Sequence, residues 1–264
     1  RSNVPKRIEE IGRGGEGTVY GTDNPAFAAK IYHSTPSVET SEKLRAMTTS
    51  GSDRLSGISA WPSSIVHGRH RGETLGFLMP RIAGLKDIHR LYSPKNRVRE
   101  FPTAGWGFLF ATAANVARAF RVVHDAGHVI GDVNHGNVVV AADATVRLID
   151  CDSFQIENSG RVYTCDVGIS THTPPELQGR ALRGLRRTQQ HDVFGLAVTS
   201  FRLLFMGRHP CSGRYSKDPQ DQLERAIAEY RFAYGKQAEA RGMTTPPNTL
   251  SADGTAALEG ESFS

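Results

Sequence analysis

An α+β chain is predicted, with strand-like segments gathered in the first third and helical patterns in the remainder. Three observations carry this expectation. The glycine-rich stretch IEEIGRGGEGTVY at 8–20 leads directly into a second strand-like segment, AFAAKIY at 26–32. The apolar segment LGFLMPRI follows at 75–82. The longest amphipathic helix pattern comes only at 103–126. With 264 residues, 38% of them hydrophobic, the chain can build one large domain or two lobes with cores of their own.

Composition narrows the function classes. No apolar run approaches the roughly 18 residues of a membrane span, and the N-terminal residues lack a charged-then-apolar signal pattern. The sequence begins at Arg1 rather than Met, which suggests a longer parent chain with additional domains. Cys151, Cys165 and Cys211 form neither a disulfide framework nor a CxxC pair, as expected of a reducing cytoplasm. The net charge is +5, and residues 1–100 hold 16 basic against 10 acidic side chains. That bias favours a polyanionic ligand such as a nucleotide, and is too scattered to indicate nucleic acid or a membrane surface.

Taken in order, Gly12, Gly14 and Gly17 let a hairpin bring backbone N–H groups close to phosphates, and Val19 offers an apolar surface beneath a flat ring. Glycine-rich turns also arise for structural reasons, so the context matters. No helix pattern follows, which excludes a dinucleotide-binding fold. Lys30 instead sits inside the next apolar strand, where burial is costly unless an anion accompanies it. Residues 36–47 suit a helix, with Ser34 or Thr35 as cap and Pro36 near its start. Of its acids, Glu39 and Glu42, one is expected to pair with Lys30, and Glu42, close to Leu44 and Met47, is preferred. Residues 48–57 read as loop, and 64–67 and 75–82 as strands. In 103–126, Trp106, Leu109, Phe110, Val116, Phe120 and Val123 form an apolar stripe, a core helix ended by Gly127. His124 and His128 stand at metal-ligand spacing, but Gly127 between them breaks the shared face.

The stretch HVIGDVNHGNVVVAADATVRLIDCD at 128–152 holds two acidic centres, Asp132 and Asp150, with Asn137 between them. Either these are polar residues at the turns of two strands, or they are the oxygen-bearing base and ligands that phosphoryl transfer with a hard cation requires.

The ordered set of glycine loop, Lys30, DVNHGN, LIDCD, PPE (174–176), HDVFGLAVTS (191–200) and GRHPC (207–211) resembles the eukaryotic-like protein kinase fold. The wording AAKIY…EKLRAM and LIDCDSFQI is more specifically similar to divergent bacterial serine/threonine kinases associated with tellurite resistance, the TerY phosphorylation triad. The resemblance implies two lobes: a small β-rich N-lobe over 1–82 and a larger helical C-lobe over 83–243, with 244–264 a tail or the end of that lobe. It implies ATP and Mg2+ as cofactors and a protein substrate carrying Ser or Thr hydroxyls. Gly12, Gly14 and Gly17 would cover the phosphates, and Lys30, oriented by Glu42, would hold them. Val19, Ala28, Met79, Pro80 and Ile82 would enclose the adenine. Asp132 would take the acceptor proton, and Asn137 and Asp150 would bind the metal, with Asp152 an alternative ligand. Asp192 would brace the catalytic loop and Glu176 would anchor the activation segment.

The sequence departs from that family at informative places. Gly131 stands where an arginine usually precedes the catalytic aspartate, which makes this a non-RD type whose activity is not expected to need phosphorylation of the 153–173 loop. Asn134 replaces the lysine two residues after that aspartate, and Asp150-Cys151-Asp152 replaces Asp-Phe-Gly. Two alternatives therefore accompany the kinase reading. One is a pseudokinase serving as a nucleotide-binding or interaction module, and the other is a small-molecule phosphotransferase. RALRGLRR at 180–187 places four arginines near the expected peptide face, as a contact for acidic groups or as a solvated loop.

Overall fold

The computed structural model describes residues 7–70, 72–215, 223–235, 238, 240 and 242–244. They form an α+β, two-lobed, protein-kinase-like fold. The first lobe is a five-stranded antiparallel sheet in the order β1-β2-β3-β5-β4, built from β1 (Arg7–Arg13), β2 (Gly17–Thr22), β3 (Phe27–Tyr32), β4 (Ser64–His67) and β5 (Thr74–Pro80). Register in this sheet sets Lys30 opposite Val19 on one side and Phe77 on the other, and Ala28 opposite Met79.

Helix α1 (Val38–Ser50) starts two residues later than the sequence suggests. The Ser37 hydroxyl accepts from the Thr40 N–H at 3.0 Å, so Ser37 rather than Ser34 or Thr35 is the cap. The loop expected over 48–57 holds a short helix, α2 (Asp53–Ile58), capped by Ser52 Oγ accepting from Leu55 N and pinned by the buried Leu55. Within 48–57 Leu55 is the one bulky aliphatic residue and gives no periodicity to read; its burial, with Ile58 packed against the core beside it, fixes the helix.

The second lobe begins with β6 (Lys86–Asp87), α3 (His89–Tyr92) and α4 (Pro94–Glu100), then the long α5 (Trp106–Asp125). Leu109, Val116, Phe120 and Val123 of α5 are buried, each worth roughly 2 kcal/mol of removed apolar surface. Trp106 and Phe110 remain 43% and 44% exposed, so the stripe turns out to solvent in the first turns of α5. A three-stranded sheet, β6-β7-β8, uses β7 (Val138–Val140) and β8 (Val146–Leu148), and it places Asn137 just before one strand and Asp150 just after the next. The hairpin β9 (Ile156–Asn158) and β10 (Arg161–Tyr163) follows, then α6 (Gln189–Leu204). Of the one or two helices expected over 215–238, the described residues show α7 (Leu223–Ala228).

One apolar cluster runs through both lobes, from Leu44, Met47 and Phe77 to Val116, Phe120 and Leu148. Trp61 is its staple. Fully buried, it donates from Nε1 to Met47 O at 2.9 Å, stacks on His128 at 5.3 Å between ring centres and meets Phe154 edge-on. His128 is thereby a packing residue; His124 turns instead to Asp192.

Candidate active site

The cleft between the lobes encloses about 540 Å³. Its roof is the β1–β2 hairpin, closed by Gly14 N donating to Gly17 O at 2.9 Å. The three glycines have different reasons to be there. A Cβ on Gly17 would lie 2.7 Å from Ile31 O, so Gly17 lets the hairpin pack on β3. A Cβ on Gly12 would meet nothing within 4 Å, and one on Gly14 only Gly17 O at 3.8 Å, so open space lies beside both. Val19, Ala28, Met79, Pro80 and Ile82 form the apolar walls. Arg81 lines the rim and pairs with Glu9 at 2.6 Å, tying β1 to the segment after β5.

Lys30 reaches into this cleft from β3, with its side chain only 10% exposed. Its ammonium donates to Asp150 Oδ1 at 2.6 Å and to both Asp152 oxygens at 2.9 and 2.8 Å. Burial alone would lower its pKa, but the two carboxylates raise it above the ordinary lysine value, so it stays charged. The expected Lys30–Glu42 pair is absent. Glu42 points outward and binds Arg161 at 2.8 Å, while the buried position next to it belongs to Lys43, whose Nζ donates to Ser153 O and Thr164 O. Glu39, the other candidate, is exposed. The rotation of α1 puts Lys43, Leu44 and Met47 inward, as the paired apolar residues require, and that leaves both glutamates off the inner face.

The floor is the segment 130–137, the catalytic loop expected from the resemblance. Asp192, 1% exposed at the start of α6, accepts from Ile130 N at 2.7 Å, Gly131 N at 2.8 Å and His124 Nε2 at 2.8 Å. This brace fixes the loop from below. Asp132 Oδ2 accepts from Asn134 Nδ2 at 2.9 Å and Asn137 Nδ2 at 3.0 Å, while the buried Oδ1 has no partner. Asn137 spends its amide nitrogen on Asp132, which leaves the amide oxygen as the group it can offer a cation. Asp150, two residues past β8, has a left-handed backbone (φ 57°, ψ 39°), a conformation disfavoured for a residue with a side chain, and it is 45% exposed. One carboxylate and one amide oxygen on converging loops suit a hard oxygen-seeking cation, and the open space beside Gly12 and Gly14 suits phosphates. The described residues thus fit both groups.

Two residues of the site were not singled out from sequence. Arg187, within the basic stretch, is only 5% exposed and donates from its guanidinium to Gly131 O and Val167 O, both at 2.5 Å. It ties the catalytic loop to the activation segment by carbonyls, across the place left by Gly131. No side chain can stand there: Gly131 has φ +73°, and a Cβ would fall 2.6 Å from Cys165 Cβ. Tyr32 is the second, donating its hydroxyl to Asp152 Oδ2 at 2.7 Å. Glu176 approaches His191 at 3.7 Å.

No protein-family model matches the chain. It is 43% identical over 244 residues to the protein named protein kinase YegI of Escherichia coli O157:H7, covering 91% of this chain and 38% of that protein. The protein of that name in E. coli strain K12 is 42% identical over the same length. A serine/threonine-protein kinase PknK of Mycobacterium bovis is 26% identical over 202 residues, 75% of this chain and 17% of the relative. The chain spans about 38% of the length of the first two relatives. Among the described residues no helix is long and apolar enough to cross a membrane. By fold and by sequence the chain is kinase-like, similar over nine-tenths of its length to bacterial proteins named as protein kinases.

Proposed function

We propose that this chain is an ATP- and Mg2+-dependent protein kinase domain of the non-RD type, which moves the γ-phosphate to Ser or Thr hydroxyls of a protein substrate. The observation that carries the reading is the convergence of Lys30, Asp132, Asn137 and Asp150 beneath a glycine hairpin with open space at Gly12 and Gly14. The N-lobe would span 1–82 and the C-lobe 83–243. The PknK name supports Ser/Thr hydroxyls as acceptors. The wording AAKIY…EKLRAM and LIDCDSFQI supports kinship with the tellurite-resistance-associated kinases. Three buried, unpaired cysteines support a reducing cytoplasmic setting.

Asp132 Oδ1 is the free acceptor at the base of the site, with Oδ2 held by two amides so that the carboxylate cannot rotate away. As the acceptor oxygen bonds to the γ-phosphorus and the bond to the β–γ bridging oxygen breaks, the hydroxyl proton passes to Asp132. Lys30 holds the α- and β-phosphates. Asn137 and Asp150 would hold magnesium, which when bound would neutralise charge on the phosphates. Arg187 keeps the activation segment against the catalytic loop through carbonyls, which supports activity without phosphorylation of that segment.

Asn134 favours a second reading, a nucleotide-binding module without transfer, because a neutral amide stands where a cation would stabilise the moving phosphoryl group. Transfer of labelled γ-phosphate to a peptide array and to a panel of small alcohols tests the proposal. Label on peptides, lost with Lys30→Ala, supports it. Label on alcohols alone points to a small-molecule phosphotransferase, and nucleotide binding without any transfer points to the second reading.

A further inference from the structure

Helix α1 brings no anion to Lys30. Its inward face carries Lys43, 8% exposed and bonded to the carbonyls of Ser153 and Thr164. The counter-charge comes instead from the loop after β8, and its two aspartates are not equivalent. Asp152 is 4% exposed, and both of its oxygens lie on Lys30, one of them also accepting from Tyr32. Burial lowers the pKa of Lys43, and its ammonium is met by the carbonyls of Ser153 and Thr164 rather than by a carboxylate. Asp150 places a single oxygen on Lys30, is 45% exposed, and opens to the cleft. A cation arriving at Asp152 would have to displace Lys30 and Tyr32 together; at Asp150 a free oxygen already faces the nucleotide side.

We propose that Asp152 is the positioning residue of Lys30, doing from the β8 loop what a glutamate of α1 was expected to do, and that it is not a metal ligand. The inference rests on the reading of Lys30 as the phosphate-holding residue of an ATP site. It also accounts for the aspartate at the third position of Asp150-Cys151-Asp152.

Three measurements on the full chain test it. In nucleotide-free melts in EDTA, Lys30→Met and Asp152→Asn each lower the melting temperature by roughly 5 °C, because each strands a buried charge, and the double variant recovers most of the loss. Titration of Mn2+ in the presence of ADP, read by the electron paramagnetic resonance of free Mn2+, gives a half-saturation within about threefold of wild type for Asp152→Asn and raised about tenfold for Asp150→Asn. In labelled-ATP assays Asp152→Asn lowers kcat about thirtyfold with KM for ATP nearly unchanged, and Asp152→Glu recovers part of it. Additive melting losses, or a Mn2+ half-saturation raised as much by Asp152→Asn as by Asp150→Asn, overturn the assignment. If wild type takes up no Mn2+ with ADP, the nucleotide reading itself has failed and takes the orienting role with it.

Discussion

The catalytic loop and helix α1 face the same cleft and satisfy their charges in opposite ways. In the loop, Asp132, Asn134 and Asn137 bond to one another within six residues, and one buried carboxylate from α6 fixes the backbone of Ile130 and Gly131 just before them. On α1 nothing polar is satisfied so locally at the inner face. Lys43 reaches carbonyls more than a hundred residues away, and Glu42 goes outward to Arg161. The loop is therefore held by its own side chains and by one carboxylate of α6, whereas α1 is held by what packs against it. The difference predicts where substitutions hurt.

The largest effect should fall on the brace of the loop. Asp192→Ala leaves two buried N–H groups without an acceptor and is expected to destabilise by about 3–5 kcal/mol, measured by urea unfolding. A loss under about 1 kcal/mol would mean the loop holds itself.

Acid should come next. His172 and His209 are both buried, the first with its ring against His135 and the second against Thr171 O. Burial, and then the nearby Arg202 cation for His172, push His172 down to about 3; burial pushes His209 down to about 4. His209 is neutral with its proton on Nε2, since Nε2 faces Thr171 O and Nδ1 accepts from Cys211 N. The unfolded chain therefore binds protons that the fold refuses. Stability present above about pH 6.5 falls as pH drops, by up to about 2 kcal/mol per histidine at pH 5, until the folded groups titrate in turn. His172→Gln should remove about half of that slope in melts between pH 7 and pH 5.

Arg187→Met strips two carbonyls of their donors and should cost about 2 kcal/mol, while also loosening protease protection of 153–173. Smallest of all is Glu42→Gln. Its ion pair with Arg161 is 36% and 54% exposed, so a change below about 0.5 kcal/mol and transfer within twofold of wild type are expected. A large loss of transfer would return Glu42 to the role the sequence suggested.

The same contrast explains what could be read without coordinates. Asp132, Asn137 and Asp150 are legible because their geometry is set by short spacing and by strands that begin and end at fixed residues. The glycine hairpin and Lys30 are legible for the same reason. The Lys30 partner is not. Which face of α1 turns inward depends on Leu44, Met47 and the Trp61 staple, and the choice between Glu39, Glu42 and a loop aspartate is made by packing across the lobes. Arg187 was hidden in a run of four arginines of which it alone is buried, and no local pattern distinguishes it from its neighbours. Leu55 of α2 was hidden in the same way, by burial without periodicity.

Under the proposed function, the loop around Asp132 performs phosphoryl transfer. Incorporation of label from γ-labelled ATP by wild type and by Asp132→Asn, with nucleotide affinity measured alongside, tests it most directly. Wild type is expected to incorporate label and Asp132→Asn to incorporate about a hundredfold less, with nucleotide affinity held within about threefold. Equal incorporation by both proteins, or none by a wild type that binds nucleotide, would contradict it.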